Sequence, residues 1–194
     1  MTELDLLDFY SPTAGFDQPL AVVKACHERV RRMVEMLVPL REHLDEHGTD
    51  RRAIVSAGAI RQYLEEAWPR HVQDEEIDLL PRISARLRNC NDDGPYEDLA
   101  ETIAAVSEQH RAFEPLFQRV LPLLRAVETG AAQRLDEPAV QAFVELFRIH
   151  MALEEDILGP AYARFLTPED LRQIGRAMAA RRGVAWPAAD ANPA

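Results

Sequence analysis

Apolar residues recur at three- and four-residue steps along most of the chain, which is the spacing of one face of an α-helix. In the first segment, Val23, Val30, Val34 and Leu37 fall on one such face. Polar or glycine-containing stretches break the pattern and indicate where the helices end. The resulting segments cover about residues 17–48, 49–88, 96–128 and 136–165. The pattern therefore predicts long helices and no strand.

Short connections join these segments, and long helices joined by short loops fold back antiparallel. We therefore expect an all-α protein, an up-down four-helix bundle over about residues 17–166, within one domain of residues 1–194. A shorter fifth helix is predicted over about 168–182, because Thr167 is suited to cap its start and Gly183 to end it. Residues 184–194 are expected to form a loose tail.

Each of the four long predicted helices carries a histidine on its apolar face, and two of the faces also carry a glutamate. A carboxylate in an apolar setting is costly to desolvate unless it is paired or binds a metal. The glutamates therefore need a partner. The residues concerned are His27, His71, Glu75, His110, His150 and Glu154.

The two segments that contain both histidine and glutamate repeat one another. HVQDEEIDLLP at 71–81 and HMALEEDILGP at 150–160 share His, Glu, Glu, Leu and Pro at the same five offsets. Each follows a helix with a single histidine on its apolar face, so the chain contains a duplicated helical hairpin. Packing two such hairpins about a pseudo-twofold axis would bring four imidazoles and two carboxylates together. This ligand set suits iron, manganese or zinc, and bridging carboxylates favour a dinuclear redox site.

Composition argues against several other classes of function. The net charge is −11, from 33 acidic and 22 basic residues, so the long-range field repels phosphate, and we expect neither nucleic acid nor a membrane surface as a partner. No stretch approaches the roughly 18 uninterrupted apolar residues of a membrane span, and the N-terminus does not resemble a signal peptide, so a cytoplasmic protein is expected. Cys26 and Cys90 form no CxxC motif and indicate neither a disulfide framework nor a thiolate zinc site.

At these histidines and glutamates the sequence resembles the hemerythrin-like, HHE cation-binding family, whose helices supply H…HxxxE…H…HxxxE. The resemblance covers about residues 17–166 and is clearest in EEAWPRHVQDEEIDLLPRI and FVELFRIHMALEEDILGPAYARFL. It implies an up-down bundle that holds two iron ions with an oxo or hydroxo bridge, zinc or manganese being alternatives. The implied metal ligands are His27, His71, Glu75, His110, His150 and Glu154, with Glu75 and Glu154 bridging.

One position departs from the oxygen-carrying members of that family. They have HxxxH on the third helix, whereas here His110 is followed four residues later by Glu114, which is either a seventh ligand or an acceptor beside the ligands. This resembles the subgroup that includes bacterial iron-centre repair proteins and the hemerythrin-like iron-sensing domain, and it argues against reversible oxygen carriage.

The resemblance implies a small ligand, namely oxygen, peroxide or nitric oxide, that reacts with or is sensed by the metal pair. The alternative is a non-enzymatic iron sensor or reservoir, or a bundle in which the metal is structural. The sequence decides neither between these functions nor whether the protein is an enzyme, and it does not give the oligomeric state.

Other polar and aromatic residues have simpler interpretations. His43 and His47 form an HxxxH motif, but they lie about 24 Å from His27 along a helix and suit its C-terminal end. Glu76 and Glu155 point about 100° away from the apolar faces, so roles beside the ligands or at the surface are favoured. Five aromatic residues are expected mainly in the core, the alternative being the lining of a small-molecule pocket; they are Trp68, Phe113, Phe117, Phe143 and Phe147.

Overall fold

The computed structural model describes residues 14–88 and 98–186. Its α-helices α1 to α8 span Pro19–Glu35, Leu37–His47, Arg51–Gln73, Leu80–Arg88, Leu99–Glu128, Glu137–Leu153, Gly159–Phe165 and Pro168–Arg181. Two π-helical segments, Asp74–Leu79 and Glu154–Leu158, join α3 to α4 and α6 to α7. These residues include no strand, as predicted. Cys90, the polar break after Arg88 and residues 187–194 of the predicted tail lie outside the described residues.

The helices form four antiparallel arms. The first arm is α1 with α2, the second is α3 to α4, the third is α5 and the fourth is α6 to α7. The first and third arms each pack against the second and fourth, while α8 packs against α1 and the first π-helical segment. The predicted up-down four-helix bundle with an additional C-terminal helix is therefore confirmed. In the described ranges, no helix is both long enough and apolar enough to cross a membrane.

Side chains and backbone conformation set the helix ends near the short connections. The Asp50 carboxylate accepts a hydrogen bond of 2.8 Å from the backbone N–H of Ala53 and so caps α3. Thr167 and Asp170 form a reciprocal capping box at the start of α8, as the sequence predicts. Gly48 ends α2 with a φ of 71°, a conformation that is much easier for glycine than for other residues.

The apolar core has two parts, and the predicted metal ligands lie between them. The first part includes Trp68 and the second includes Leu79, both on the second arm, with His71 in the chain between them. The third arm has the same order, because His110 lies between Val106 of the second part and Phe113 of the first. A polar layer therefore crosses the bundle between two apolar regions.

Each π-helical segment ends two residues before a proline of the repeated motif. Proline lacks an N–H and its ring clashes with the carbonyl four residues earlier, so the regular α-helical bond cannot form there. In both copies the residue before the proline donates to a carbonyl five residues earlier. These bonds run from Leu80 to Glu75 and from Gly159 to Glu154.

The second π turn changes which residue of the fourth arm faces inward. The α-helical period places Ile157 on the apolar face with His150 and Glu154, but Ile157 is 38% exposed and Leu158 is fully buried. A π turn contains an additional residue, so the inward position moves on by one. The equivalent inward positions of the two copies are therefore Leu79 and Leu158.

Candidate metal centre

Four histidines and two glutamates meet in the polar layer between the two parts of the core. They form two groups, and in each group one ligand atom from every residue lies within 4.8 Å of the others. Both glutamates belong to both groups, so the two groups share their carboxylates. The groups are His27, His71, Glu75 and Glu154, and Glu75, His110, His150 and Glu154.

Each carboxylate has one oxygen facing a histidine of each group. Glu154 Oε2 lies 3.3 Å from His27 Nε2, and Oε1 lies 3.1 Å from His150 Nε2. Glu75 Oε1 lies 3.6 Å from His27 Nε2, and Oε2 lies 3.3 Å from His110 Nε2. The His71 Nε2 atom completes the first group at 3.6 Å from Glu75 Oε2.

The atoms that face one another in this cluster are buried, and within the described part of the chain they make no hydrogen bond. They are the Nε2 atoms of the four histidines and both oxygens of each glutamate. Buried polar atoms without a partner cost free energy, and native proteins rarely leave several of them together. Metal ions between the imidazoles and carboxylates would satisfy all of these atoms, so the residues present fit a metal pair.

The second nitrogen of three of the histidines faces a neighbouring polar side chain. His110 Nδ1 lies 2.6 Å from Glu76 Oε1 and His150 Nδ1 lies 3.0 Å from Gln109 Oε1. His27 Nδ1 lies 3.6 Å from Glu155 Oε1. Partners of this kind fix the orientation and tautomer of a metal-binding imidazole. Glu76 and Glu155 therefore lie beside the two groups rather than in them.

Burial and charge set the protonation of the metal-free cluster. Burial alone would lower the pKa of His110, but Glu154 and Glu75 outweigh it and raise that pKa to about 10. Burial dominates at His71 and lowers its pKa. Burial would raise the pKa of Glu154, but His150 and His110 outweigh it and hold that pKa well below its usual range. A bound cation would therefore replace a proton on His110.

Glu114 joins neither group of ligands. It is exposed on α5, and its carboxylate accepts a hydrogen bond of 3.1 Å from Gln118 Nε2. The inward face of α5 continues from His110 through Phe113 and Phe117, which are both buried, and this turns position 114 outward.

His43 and His47 lie apart from the two groups. Their rings stack with centroids 4.8 Å apart, and His43 Nε2 lies 3.0 Å from Asp50 Oδ1. Asp50 also caps α3. The motif therefore joins the end of α2 to the start of α3.

Sequence reasoning did not identify Gln109 and Tyr162. The Tyr162 side chain is buried, and its hydroxyl has no hydrogen-bond partner in the residues that the structure describes. Burial, with the nearby carboxylates of Glu75 and Glu154, raises the pKa of this phenol well above its usual range. The repeat contained a signal, since the equivalent position of the first copy is the apolar Ile83.

Two comparisons relate the chain to known proteins. The family model described as the hemerythrin HHE cation binding domain matches residues 18–162. An uncharacterized protein of Haemophilus influenzae is 25% identical over 171 residues, which cover 88% of this chain and 94% of that protein. The family match contains both copies of the repeated motif and every residue of the two groups.

Proposed function

Because the chain belongs to the hemerythrin HHE cation-binding domain family, we propose that it is a cytoplasmic, non-haem di-iron protein whose metal pair reacts with or senses oxygen, peroxide or nitric oxide. The observation that carries this proposal is that Glu75 and Glu154 belong to both groups of ligands. A carboxylate shared between two sets of imidazoles suits two adjacent ions, which supports an oxo- or hydroxo-bridged pair.

The donor set supports iron over zinc. Structural zinc sites are closed, four-coordinate and usually contain cysteine, whereas both groups here contain only imidazoles and carboxylates. Each ion would receive two imidazoles and one oxygen from each glutamate. A bridging oxygen would leave about one of six octahedral positions for an external ligand. Glu114 faces outward and does not reach the cluster, which supports an open position for the external ligand.

The chain's own side chains would hold this arrangement fixed. Glu76 and Gln109 face the Nδ1 atoms of His110 and His150, so they orient both imidazoles of the second group and raise their basicity. Bound iron would supply Lewis acidity and one-electron chemistry to the small ligand. The buried surroundings exclude bulk water, which strengthens these electrostatic interactions.

Reaction is favoured over reversible storage of oxygen. Position 114 contributes no imidazole to the cluster, so the second group has two histidines rather than the three that an HxxxH motif on α5 would give. The two shared carboxylates therefore account for half of the residues of each group. A more anionic donor set stabilises the oxidised metal and favours electron transfer to the ligand.

Anaerobic reduction followed by stopped-flow mixing tests this function. We expect the reduced protein to be oxidised rapidly by peroxide or oxygen, or to form a spectrally distinct product with nitric oxide. A long-lived and fully reversible oxygen adduct would overturn the reactive function. The absence of a spectral response to all three ligands would instead favour the sensor, reservoir or structural role.

A further inference from the structure

A cleft of about 640 Å³ runs between α3 and α5 and ends at His110. Its floor includes the buried side chains of Leu64, Trp68 and Phe117. The half-buried Leu121 belongs to its wall. Of the residues in the two ligand groups, His110 alone lines this cleft. The cleft therefore approaches the second group through His110.

The cleft is much larger than the small ligands of the proposed function require. Oxygen, nitric oxide and hydrogen peroxide each have about two non-hydrogen atoms, whereas pockets of about 300–1,000 Å³ accommodate organic molecules. A stable protein partner would bury about 800 Å² on this chain, which suits an extended surface better than a cleft of this kind. Its size therefore favours a small organic molecule.

The charges around the cleft indicate an uncharged ligand. Glu65 is paired with Arg61 at 2.5 Å and with Arg125 at 2.7 Å. The positive charge of Arg125, which lines the cleft, is therefore already neutralised. Glu114, also at the rim, accepts a hydrogen bond from Gln118 and would repel a carboxylate. With a net charge of −11 on the whole chain, an anionic organic ligand is disfavoured.

We propose that this cleft binds the alkyl or aryl body of an uncharged organic hydroperoxide and directs its peroxide group toward the second ligand group. This inference rests on the proposed di-iron function and names its substrate class. The apolar floor holds the organic body, and His110 marks the polar end. In the balanced reaction the O–O bond breaks, two protons are taken up, and the products are an alcohol and water. The two electrons would come from the proposed pair of ferrous ions, which would become ferric.

The binding step is tested by an NMR titration of the full-length metal-free protein with 2-phenyl-2-propanol, the alcohol product of cumene hydroperoxide. Gln118→Trp fills the cleft about two helical turns from His110, and its side chain leans back toward that end, whereas Ala104→Trp places the same side chain at an exposed position of α5 outside the cleft. We expect saturable binding to the wild type and to A104W, and about tenfold weaker binding to Q118W. Absence of binding to the wild type, or equal binding to Q118W, would overturn the proposal.

The reaction step is tested by mixing the reduced, iron-loaded protein with cumene hydroperoxide and, separately, with hydrogen peroxide. We expect Q118W to slow oxidation by cumene hydroperoxide about tenfold and to leave oxidation by hydrogen peroxide and the iron content unchanged. Equal slowing with both peroxides would overturn the assignment of the cleft. A protein that binds no iron would overturn the proposed function, while the titration with the alcohol would still test the cleft by itself.

Discussion

Arg182 binds both carboxylate oxygens of Asp74, the residue immediately before Glu75 in the chain. Its Nη2 atom lies 2.5 Å from Oδ2 and its Nη1 atom lies 3.1 Å from Oδ1. Arg181 contacts the same carboxylate and also bonds Asp78 at 2.6 Å. Because Asp74 and Asp78 lie in the first π-helical segment, these ion pairs tie α8 to the segment that carries a candidate bridging ligand.

Replacing Arg182 should destabilise the fold. Arg182→Ala leaves the buried Asp74 carboxylate with Arg181 alone, and we expect the free energy of unfolding to fall by about 1–3 kcal/mol. Replacing both arginines should cost about 3–5 kcal/mol, because a buried charge then loses its partners. Denaturant unfolding of the metal-free protein measures these changes. Arg172→Ala, an exposed residue of α8 paired with Glu169, should remain near wild type; an equal loss in this control would contradict the explanation.

Metal content should depend on Glu154 and not on His43. Glu154→Ala removes a carboxylate that belongs to both ligand groups, so both proposed ions would lose an oxygen ligand and metal occupancy should fall strongly. His43→Ala changes a histidine that stacks on His47 outside both groups and should retain wild-type occupancy. Elemental analysis of the two purified variants measures their metal occupancy. The reverse ranking would mean that the metal lies elsewhere.

Glu76 should tune metal affinity without setting the number of ions. Its carboxylate lies 2.6 Å from His110 Nδ1, so Glu76→Gln weakens the partner that orients this imidazole. We expect about a 10- to 100-fold loss of affinity with unchanged stoichiometry at saturating metal, as measured by competition with a chelator. Glu108→Gln is the matched control, since Glu108 is exposed on α5 and pairs with Arg111. A Glu76 variant with wild-type affinity would exclude this role.

The metal-free protein should lose stability in alkaline solution. The pKa of His110 is raised from 6.5 to about 10 by folding, so its stabilising effect is complete below about pH 6.5 and is lost as the pH rises to about 10. The pKa values of Glu75 and Glu154 are lowered from 4.5, so their effect is lost as the pH falls below that value. We expect the free energy of unfolding of the wild type to exceed that of His110→Gln by more at about pH 6 than at about pH 10, as measured by denaturant unfolding. Equal differences in the free energy of unfolding at the two pH values would contradict the stabilising role of protonated His110.

The apolar periodicity and the repeated motif were sufficient to predict the bundle and which residues meet at its centre. Both are local or repeated signals: a residue's position along a helix fixes its direction, and the repeat fixes the pairing of the hairpins. The structure brings together all of the residues predicted as ligands except Glu114. That residue could not be placed from its spacing alone, since an acid four residues after a histidine can face inward, as Glu154 does, or outward.

The π-helical segments and the contacts of α8 were not predicted. Pro81 and Pro160 are incompatible with the regular α-helical hydrogen bond, but their presence does not tell whether the chain accommodates them with a π turn that shifts the inward position to Leu158. The ion pair of Asp74 with Arg182 joins residues 108 positions apart. Pairs of this kind depend on how α8 packs, and no local pattern encodes that packing.

The optical spectrum of the aerobically purified protein, normalised to its measured iron content, tests the central claim most directly. The bridging positions of Glu75 and Glu154 predict two iron ions per chain with the absorption of an oxo- or hydroxo-bridged diferric pair. A single iron per chain without that absorption, or zinc in its place, would contradict the di-iron assignment.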